Sequence, residues 1–290
     1  MPAVSANPRP ITSAPALLAA EARVREGAVP DRLGKQAVPP GSMWLEGEAF
    51  VLRTTSGYAF HYARGQGVTM ARSAGADPAE QELWLRGSVY AAIAAINGFL
   101  PFHASAVAWN GAVHAFSGPS GAGKSTLTAA LGGHGLPLFC DDTLVLDISD
   151  PARVLCLPGH KRLKLGPQAL ALTGTRALER VDPEIDKFYA EPLSGPVDAV
   201  LPLARLIFLE DGDGPTFAPI GGAERVARIN DDHYTADLFV AARGDSLAQR
   251  FALVANLARH IAMERLVRPR DPVVFAAVTA QIAANIKEQH

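Results

Sequence analysis

Residues 118–125 read Gly-Pro-Ser-Gly-Ala-Gly-Lys-Ser, a complete match to the phosphate-binding loop pattern G-x-x-x-x-G-K-[ST]. The glycines at positions 118, 121 and 123 allow the tight turn in which consecutive backbone N–H groups point at phosphate oxygens. Lys124 brings a positive charge to the β- and γ-phosphates, and the Ser125 hydroxyl is a ligand for Mg²⁺. The pattern predicts a strand–loop–helix unit that binds a nucleoside triphosphate.

The residues on either side of the loop agree with this prediction. The apolar run 112–116 predicts a strand that enters the loop, and residues 125–131 predict a helix that leaves it, with the positive end of its dipole at the phosphates. A glycine-rich turn without a ligand is the alternative, and the agreement of motif and context disfavours it. Nucleotide contacts are expected from Gly118, Ser120, Gly121, Ala122, Gly123, Lys124, Ser125 and Thr126.

Composition limits the other possibilities. The chain has 290 residues, of which 48% are hydrophobic, enough for one large or two modest domains. A net charge of -2 offers no electrostatic basis for binding nucleic acid or an anionic membrane surface. Cys140 and Cys156 lie in apolar stretches, where a buried thiol is expected rather than a disulfide. No apolar run is long enough to span a membrane and no signal-peptide pattern is present, so a cytoplasmic protein is expected.

The chain divides into three parts by composition. Residues 1–42 are rich in Pro, Ala and Ser and predict a flexible N-terminal arm with one helical stretch at 15–25. Residues 43–99 carry short strand patterns and then a helix that begins at Asp77-Pro78 and ends at Gly98, which predicts a small β-rich domain. Residues 100–290 contain the loop and are expected to form an α/β catalytic domain.

Within the third part, Asn110-Gly111 predicts a type I′ hairpin. The phosphate loop would therefore follow a hairpin strand, unlike the helix-linked parallel strand of doubly wound nucleotide-binding folds. Further strands are predicted at 136–140, 143–147, 153–157 and 203–209, and helices at 246–260 and 272–288.

Asp141 and Asp142 follow the first strand after the loop helix, where carboxylates reach Mg²⁺ or the attacking group. One of two adjacent carboxylates can hold a metal while the other accepts a proton from a substrate hydroxyl. Because side chains alternate along a strand, the chain has to turn here if both carboxylates are to serve one site. A polar turn without a chemical role is the alternative.

Several basic residues are weaker candidates. His103, near the start of the hairpin, is placed to orient or tune one of the aspartates, although a lone histidine on a strand is more often structural. His114 is expected to be structural. Basic side chains further along are candidates for contact with phosphate or an acidic partner, or are solvated surface charges: Lys161, Arg162, Lys164 and Lys187.

Taken in order, residues 100–107 (Leu-Pro-Phe-His-Ala-Ser-Ala-Val), the phosphate loop and the Asp141-Asp142 pair resemble the core of the HPr kinase/phosphorylase superfamily. Residues 158–165 and 266–271 are similar to its HPr-kinase-related branch of stand-alone serine kinases, which includes those found with lasso-peptide biosynthesis. The resemblance covers roughly residues 43–290. It implies an α/β fold with α+β character, in which a P-loop core of the HPr-kinase/PEP-carboxykinase type carries a small, mainly β, N-terminal domain.

The resemblance also implies an enzyme that uses ATP and Mg²⁺ to phosphorylate a serine hydroxyl of a peptide or small protein, such as a lasso-peptide precursor. A homo-oligomer is compatible with it. Carried over by position, Asp141 is the base, Asp142 supports the metal or pairs with His103, and Ser125 holds Mg²⁺. The reverse assignment of the two aspartates is the alternative. Thr126 stands where founding members carry Glu, and no Glu-x-Arg-Gly segment follows, so neither HPr as acceptor nor a phosphorolytic back reaction is expected.

Two other functions use the same loop. One is a binding module in which ATP occupancy or slow hydrolysis switches a partner surface. The other is a small-molecule kinase or ATPase. A small-molecule acceptor predicts a closed pocket beside Asp141, and a peptide acceptor predicts an open groove there.

Overall fold

The computed structural model describes residues 14–150, 152–182, 185–195, 197–230 and 233–288. Its strands are β1 Val24–Glu26, β2 Arg32–Leu33, β3 Gln36–Ala37, β4 Ser42–Glu46, β5 Ala49–Arg53, β6 Tyr58–Ala63, β7 Gly67–Arg72, β8 Leu100–Phe102, β9 Ala104–Trp109, β10 Ala112–Ser117, β11 Leu138–Cys140, β12 Leu144–Asp147, β13 Leu155–Leu157, β14 Leu163–Leu165, β15 Ala177–Arg180, β16 Phe188–Ala190, β17 Leu201–Asp211, β18 Thr216–Pro219 and β19 Met263–Arg268. Its helices are α1 Ala14–Glu21, α2 Pro78–Trp84, α3 Tyr90–Ile96, α4 Lys124–Gly133, α5 Pro167–Thr173, α6 Gly222–Asn230, α7 His233–Arg243, α8 Leu247–His260 and α9 Phe275–Glu288. The structure is mixed α/β with several sheets, as the sequence predicted.

The first described segment is packed against a five-stranded sheet of order β1-β7-β6-β5-β4. Ala14 and Leu18 of α1 are buried, and β1 pairs in parallel with β7. At the end of α1, Glu21 accepts hydrogen bonds from the hydroxyl of Tyr62 and from the backbone N–H of Gly65, each at 2.9 Å. Residues 14–42 thus form α1 and strands β1–β3, and the predicted helix ends at 21 rather than 25. The flexibility of this arm stays a prediction. Residues 1–13 of that arm lie outside the described residues.

A helical segment connects this sheet to the larger one. Asp77 caps α2 as predicted, since its Oδ1 accepts a hydrogen bond from the backbone N–H of Ala79 at 2.9 Å. Between α2 and α3 the chain forms one π-helical turn, Leu85–Val89, in which Gly87 leaves helical geometry with φ -95° and ψ -107°. Six of the seven residues of α3 are buried, and Gly98 ends the helical segment at φ +85°.

The larger sheet has nine strands, in the order β11-β9-β10-β17-β13-β12-β8, with β19 beside β17 and β18 beside β19. The predicted hairpin is confirmed: β9 and β10 are antiparallel, and Asn110 and Gly111 both have positive φ. β10 also pairs in parallel with β17. The strand that enters the phosphate loop thus lies between a hairpin partner and a parallel neighbour, which fixes its position on both edges.

Most other predicted elements of this part are confirmed as β11, β12, β13, β17 and α8, whereas α9 begins three residues later than predicted. Elements not predicted include α5, α6, α7, β18, β19 and a three-stranded sheet of order β14-β16-β15. Leu163 and Leu165 of β14 pack with Ala129 of α4. This small sheet therefore lies against the loop helix and holds the residue between the two leucines, Lys164, at the site. In the described residues, no helix combines the length and apolarity needed to cross a bilayer.

Candidate active site

The phosphate loop has the conformation that its glycines predict. Gly118, Gly121 and Gly123 have φ of 145°, 80° and 86°, values that other residues rarely adopt. Helix α4 begins directly after Gly123, and no side chain caps its first turn in the described structure. The first N–H groups of a helix have no partner within the helix, so those of α4 remain donors at the mouth of the loop.

Two cations hold the loop. Lys124 is largely buried, and its Nζ donates to the backbone carbonyls of Gly118 at 2.7 Å and Pro119 at 3.3 Å. From β19, Arg268 donates through Nη2 to the carbonyl of Ala122 at 2.8 Å, while its Nε is buried without a hydrogen-bond partner in the described structure. Burial, with a smaller effect of Arg270, lowers the pKa of Arg268 from its ordinary value. The loop is thus positively charged on both sides, which favours an anion.

Asp141 is fully buried at the centre of the site. Its Oδ1 accepts hydrogen bonds from the hydroxyls of Ser105, at 2.5 Å, and Ser125, at 2.8 Å, and its Oδ2 accepts one from the backbone N–H of Lys164 at 3.1 Å. These partners come from β9, α4 and β14. The carboxylate therefore ties the sheet, the loop helix and the small sheet together, and both of its oxygens are engaged.

The chain turns at Asp142, which is the turn that the sequence argument required if both carboxylates are to serve one site, and both carboxylates contact Lys164. The φ of Asp142 is 72°, in the left-handed region. Its Oδ2 accepts a hydrogen bond from Lys164 Nζ at 2.6 Å, and its Oδ1 lies 3.5 Å from His103 Nδ1, which is also 3.0 Å from the Asp142 carbonyl oxygen. His103 therefore lies beside this aspartate, where the sequence placed it.

The electrostatics favour a charged pair. Burial opposes the ionised form of Asp142, but Lys164, with smaller effects of His103 and His160, holds the pKa of its carboxyl below the ordinary value. Burial likewise opposes the charged form of Lys164, but Asp142 and Asp141 hold its pKa above the ordinary value. Both groups are consequently ionised near neutral pH.

One cavity of about 370 Å³ brings these groups together. The phosphate loop lines one side of it with Ser120, Gly121, Gly123, Lys124, Ser125 and Thr126. The opposite side carries His103, Ser105, Asp142, Lys164 and Lys187. Two further loop residues, Gly118 and Ala122, are not among the residues that line it, although their carbonyls anchor Lys124 and Arg268. The phosphate loop and Asp142 therefore line one cavity.

Two of the four predicted substrate-binding cations point elsewhere. Lys161 donates to the carbonyl of Phe139 and lies over that ring, 5.1 Å from its centroid. Arg162 pairs with Glu179 and stacks on Tyr189, 4.0 Å from the ring centroid. Neither lines the cavity: both precede β14, and of these three basic residues Lys164, on the strand, is the one that lines the cavity and contacts Asp142. Their contact with the substrate stays a prediction, and it would have to be made outside this cavity.

Ser105 is the functional position that the sequence reasoning did not single out. It lies two residues after His103, and residues two apart in an extended chain share one face. That spacing was the available indication that both belong to one site. The remaining polar residues behave as expected: His114 is buried and accepts a hydrogen bond from Arg205 Nε, and Cys140 and Cys156 are buried free thiols. Burial raises the pKa of both thiols.

The oxygen atoms around Ser125 suit a hard cation. Ser125 Oγ and Asp141 Oδ1 lie 2.8 Å apart, and hydroxyl and carboxylate oxygens are the donors that Mg²⁺ takes together with phosphate oxygens and water. Across the described part of the chain, no cluster of three or more His, Cys, Asp or Glu side chains forms a metal site by itself.

No protein-family model matches this chain, and no curated protein does. Among solved structures, the chain is similar to the Hpr(Ser) kinase/phosphatase from Coxiella burnetii, with a TM-score of 0.33 and 12% sequence identity. The match covers 64% of this chain and 97% of the other.

Proposed function

We propose that this chain is an ATP-dependent kinase that transfers the γ-phosphoryl group to a serine hydroxyl of a peptide or small protein. The observation that carries the proposal is the shared cavity, in which a phosphate loop faces an ionised carboxylate held by two basic side chains. Phosphoryl transfer needs positioning and charge stabilisation more than covalent help, and these groups provide both. The resemblance to HPr-kinase-related serine kinases favours a peptide acceptor, a lasso-peptide precursor included.

The loop side binds the triphosphate in this proposal. The backbone N–H groups at the start of α4 and the ammonium of Lys124 bind the phosphate oxygens, and Arg268 supports the loop through the carbonyl of Ala122. On the other side, Lys164 and Lys187 offset negative charge that builds up as the phosphoryl group moves.

The geometry favours Asp142 as the base and so supports the reverse of the assignment implied by the resemblance. Asp142 lines the cavity, whereas Asp141 is not among the lining residues and its oxygens accept hydrogen bonds from Ser105, Ser125 and Lys164. In this role Asp142 accepts the hydroxyl proton as the serine oxygen attacks. His103 and Lys164 fix the direction of its carboxylate.

Asp141 and Ser125 are instead proposed to hold the metal ion, since these two residues supply the oxygen donors that fit Mg²⁺. When bound, Mg²⁺ neutralises phosphate charge. Without it, the hydrogen bond between Ser125 and Asp141 keeps both oxygens at the start of α4, next to the loop.

The test uses ATP labelled at the γ-phosphate, MgCl₂ and a pool of serine-containing peptides, with matched pools in which threonine or alanine replaces serine. Label transferred to the serine pool, absent from the alanine pool and lost in Lys124→Met, is the expected result. Release of free phosphate alone identifies an ATPase or a nucleotide switch and refutes the proposal. Label that appears only in added alcohols or sugars identifies a small-molecule kinase and refutes the peptide acceptor.

A further inference from the structure

A second cavity, of about 430 Å³, lies on the other side of the π-helical turn from the active site. Its walls are mainly apolar and come from α1, the π turn, α3 and the chain after β13. Ala19 of α1 and Val24 of β1 are exposed at its edge, so the cavity opens to solvent there. Its volume falls within the range that ordinarily accommodates small ligands or side chains.

The two cavities are separated by little more than one turn of the backbone. Leu83 lines the active-site cavity, whereas Leu85 and Arg86 line the second. Directly after Arg86, Gly87 approaches the proposed base so closely that a Cβ placed on it would lie 3.8 Å from Asp142 Oδ2. A helix is about 10 Å across and an extended chain advances about 3.4 Å per residue. An extended peptide with its serine at Asp142 therefore reaches the second cavity within about three residues.

One polar group in the wall of this cavity has no partner. Both ring nitrogens of His160 are buried and make no hydrogen bond within the described structure. A buried unsatisfied polar group in a folded protein calls for a partner that the chain itself does not supply. The nearest charges, on Asp141, Lys164, Arg86 and Asp142, belong to the active site and to the π turn. His160 thus lines the second cavity, and charged groups of the active site act on its imidazole.

From these observations we infer that the second cavity binds the acceptor: it takes an apolar side chain located within about three residues of the phosphorylated serine. The inference rests on the proposed kinase function and deepens it by naming the acceptor class, a peptide segment with a large apolar residue such as Leu or Phe beside its serine. The apolar walls accept the side chain, and the main-chain polar groups of the bound segment offer partners to His160.

The experiment measures binding and transfer separately. The probe is a set of fluorescent heptapeptide pools with a central serine, in which each flanking position in turn is Leu, Phe, Asp or Lys. Anisotropy without ATP reports binding, and label from γ-labelled ATP reports transfer. Ala19→Trp places an indole in the cavity, and Ala20→Trp is the matched control, since Ala20 is equally exposed on α1 but does not line the cavity. Binding of a fluorescent ATP analogue checks that both variants are folded.

We expect Leu or Phe pools to bind at least about 10-fold more tightly than Asp or Lys pools at one flanking position, in the unmodified protein and in Ala20→Trp. In Ala19→Trp, and in Ala22→Phe on the same cavity, this preference should fall below about 3-fold. The inference is overturned if the preference for Leu or Phe pools survives in both cavity variants. It is also overturned if label is transferred equally to all pools, and in that case the kinase proposal still stands. Selective binding of Leu or Phe pools without transfer of label supports the second cavity as a peptide-binding site and counts against the proposed kinase activity. Absence of both binding and transfer refutes both.

Discussion

Replacing Asp142 by Asn tests the central assignment, because it removes the proposed base while keeping the size and shape of the side chain. The residue has φ 72°, and Asn is among the few side chains that tolerate the left-handed region, so the turn after β11 should persist. Loss of a general base lowers turnover by about 10²–10⁴-fold. At about 1.4 kcal/mol per tenfold change, this is an increase of roughly 3–5 kcal/mol in the activation free energy. ATP affinity should not weaken, since the loop contacts remain.

The same substitution leaves Lys164 without its ion-pair partner. The Lys164 side chain is only 15% exposed, and an uncompensated buried charge costs about 3–5 kcal/mol of folding free energy. A loss of activity could then be mistaken for a loss of fold. The double variant Asp142→Asn/Lys164→Met removes the stranded charge and should recover much of the unfolding free energy without recovering turnover. Asp147→Asn is the matched control: Asp147 is also buried, on β12, but binds only the backbone N–H of Ser149 and does not line the cavity.

The assay is single-turnover transfer from γ-labelled ATP to peptide, with urea unfolding measured on the same preparations. Turnover of Asp142→Asn within tenfold of the unmodified protein would refute the assignment. A loss of more than 100-fold in Asp141→Asn with intact ATP binding, alongside that result, would restore the assignment implied by the family resemblance. If Asp141→Asn instead loses ATP binding as severely as it loses turnover, the result agrees with the proposal that Asp141 helps to hold Mg²⁺.

Three further predictions follow from single contacts. Lys124→Met should lower single-turnover transfer at least about 100-fold, because it removes a donor to the transferred phosphoryl group; a smaller loss would contradict its role. Glu21→Ala should lower the urea-unfolding free energy by about 1–3 kcal/mol, because the hydroxyl of Tyr62 and the N–H of Gly65 lose their acceptor; an unchanged midpoint would indicate that α1 is not docked. Burial lowers the pKa of His160 to about 4, so from pH 6.5 down to about 4 the unfolded chain takes up a proton that the folded imidazole resists. Stability should fall over that window by up to about 1.4 kcal/mol per pH unit, and His160→Asn should remove this component; identical pH profiles would disprove it.

The parts of the fold that could be predicted are those determined by a few adjacent residues. The loop conformation follows from three glycines and the helix dipole, and the β9–β10 hairpin follows from Asn110-Gly111. The start of α2 follows from Asp77 and the proline after it. Each of these depends on backbone freedom or a hydrogen bond within four residues, so no tertiary information was needed.

The packing of α1 could not be predicted, because composition reports only average burial. Pro, Ala and Ser are common in unfolded segments, yet Leu18 and Ala14 are buried, and the contacts that fix α1 are made by Glu21. Its partners Tyr62 and Gly65 lie 41 and 44 residues away in sequence. The π turn is similar: Gly87 departs from helical geometry where it passes Asp142, 55 positions later, and no local pattern at 85–89 marks that approach.

The choice between the two aspartates shows the same limit within the active site. Their residue type and position on the chain are alike, so the sequence could require a turn between them but could not divide their roles. The division depends on distant partners: Ser105, 36 residues before Asp141, and Lys164, 22 residues after Asp142. Neutral donors surround the first carboxylate and bury it, whereas basic side chains hold the second at the cavity wall. Because a base has to be within reach of the hydroxyl, this difference in surroundings, rather than residue type, is the ground on which Asp142 is proposed as the base.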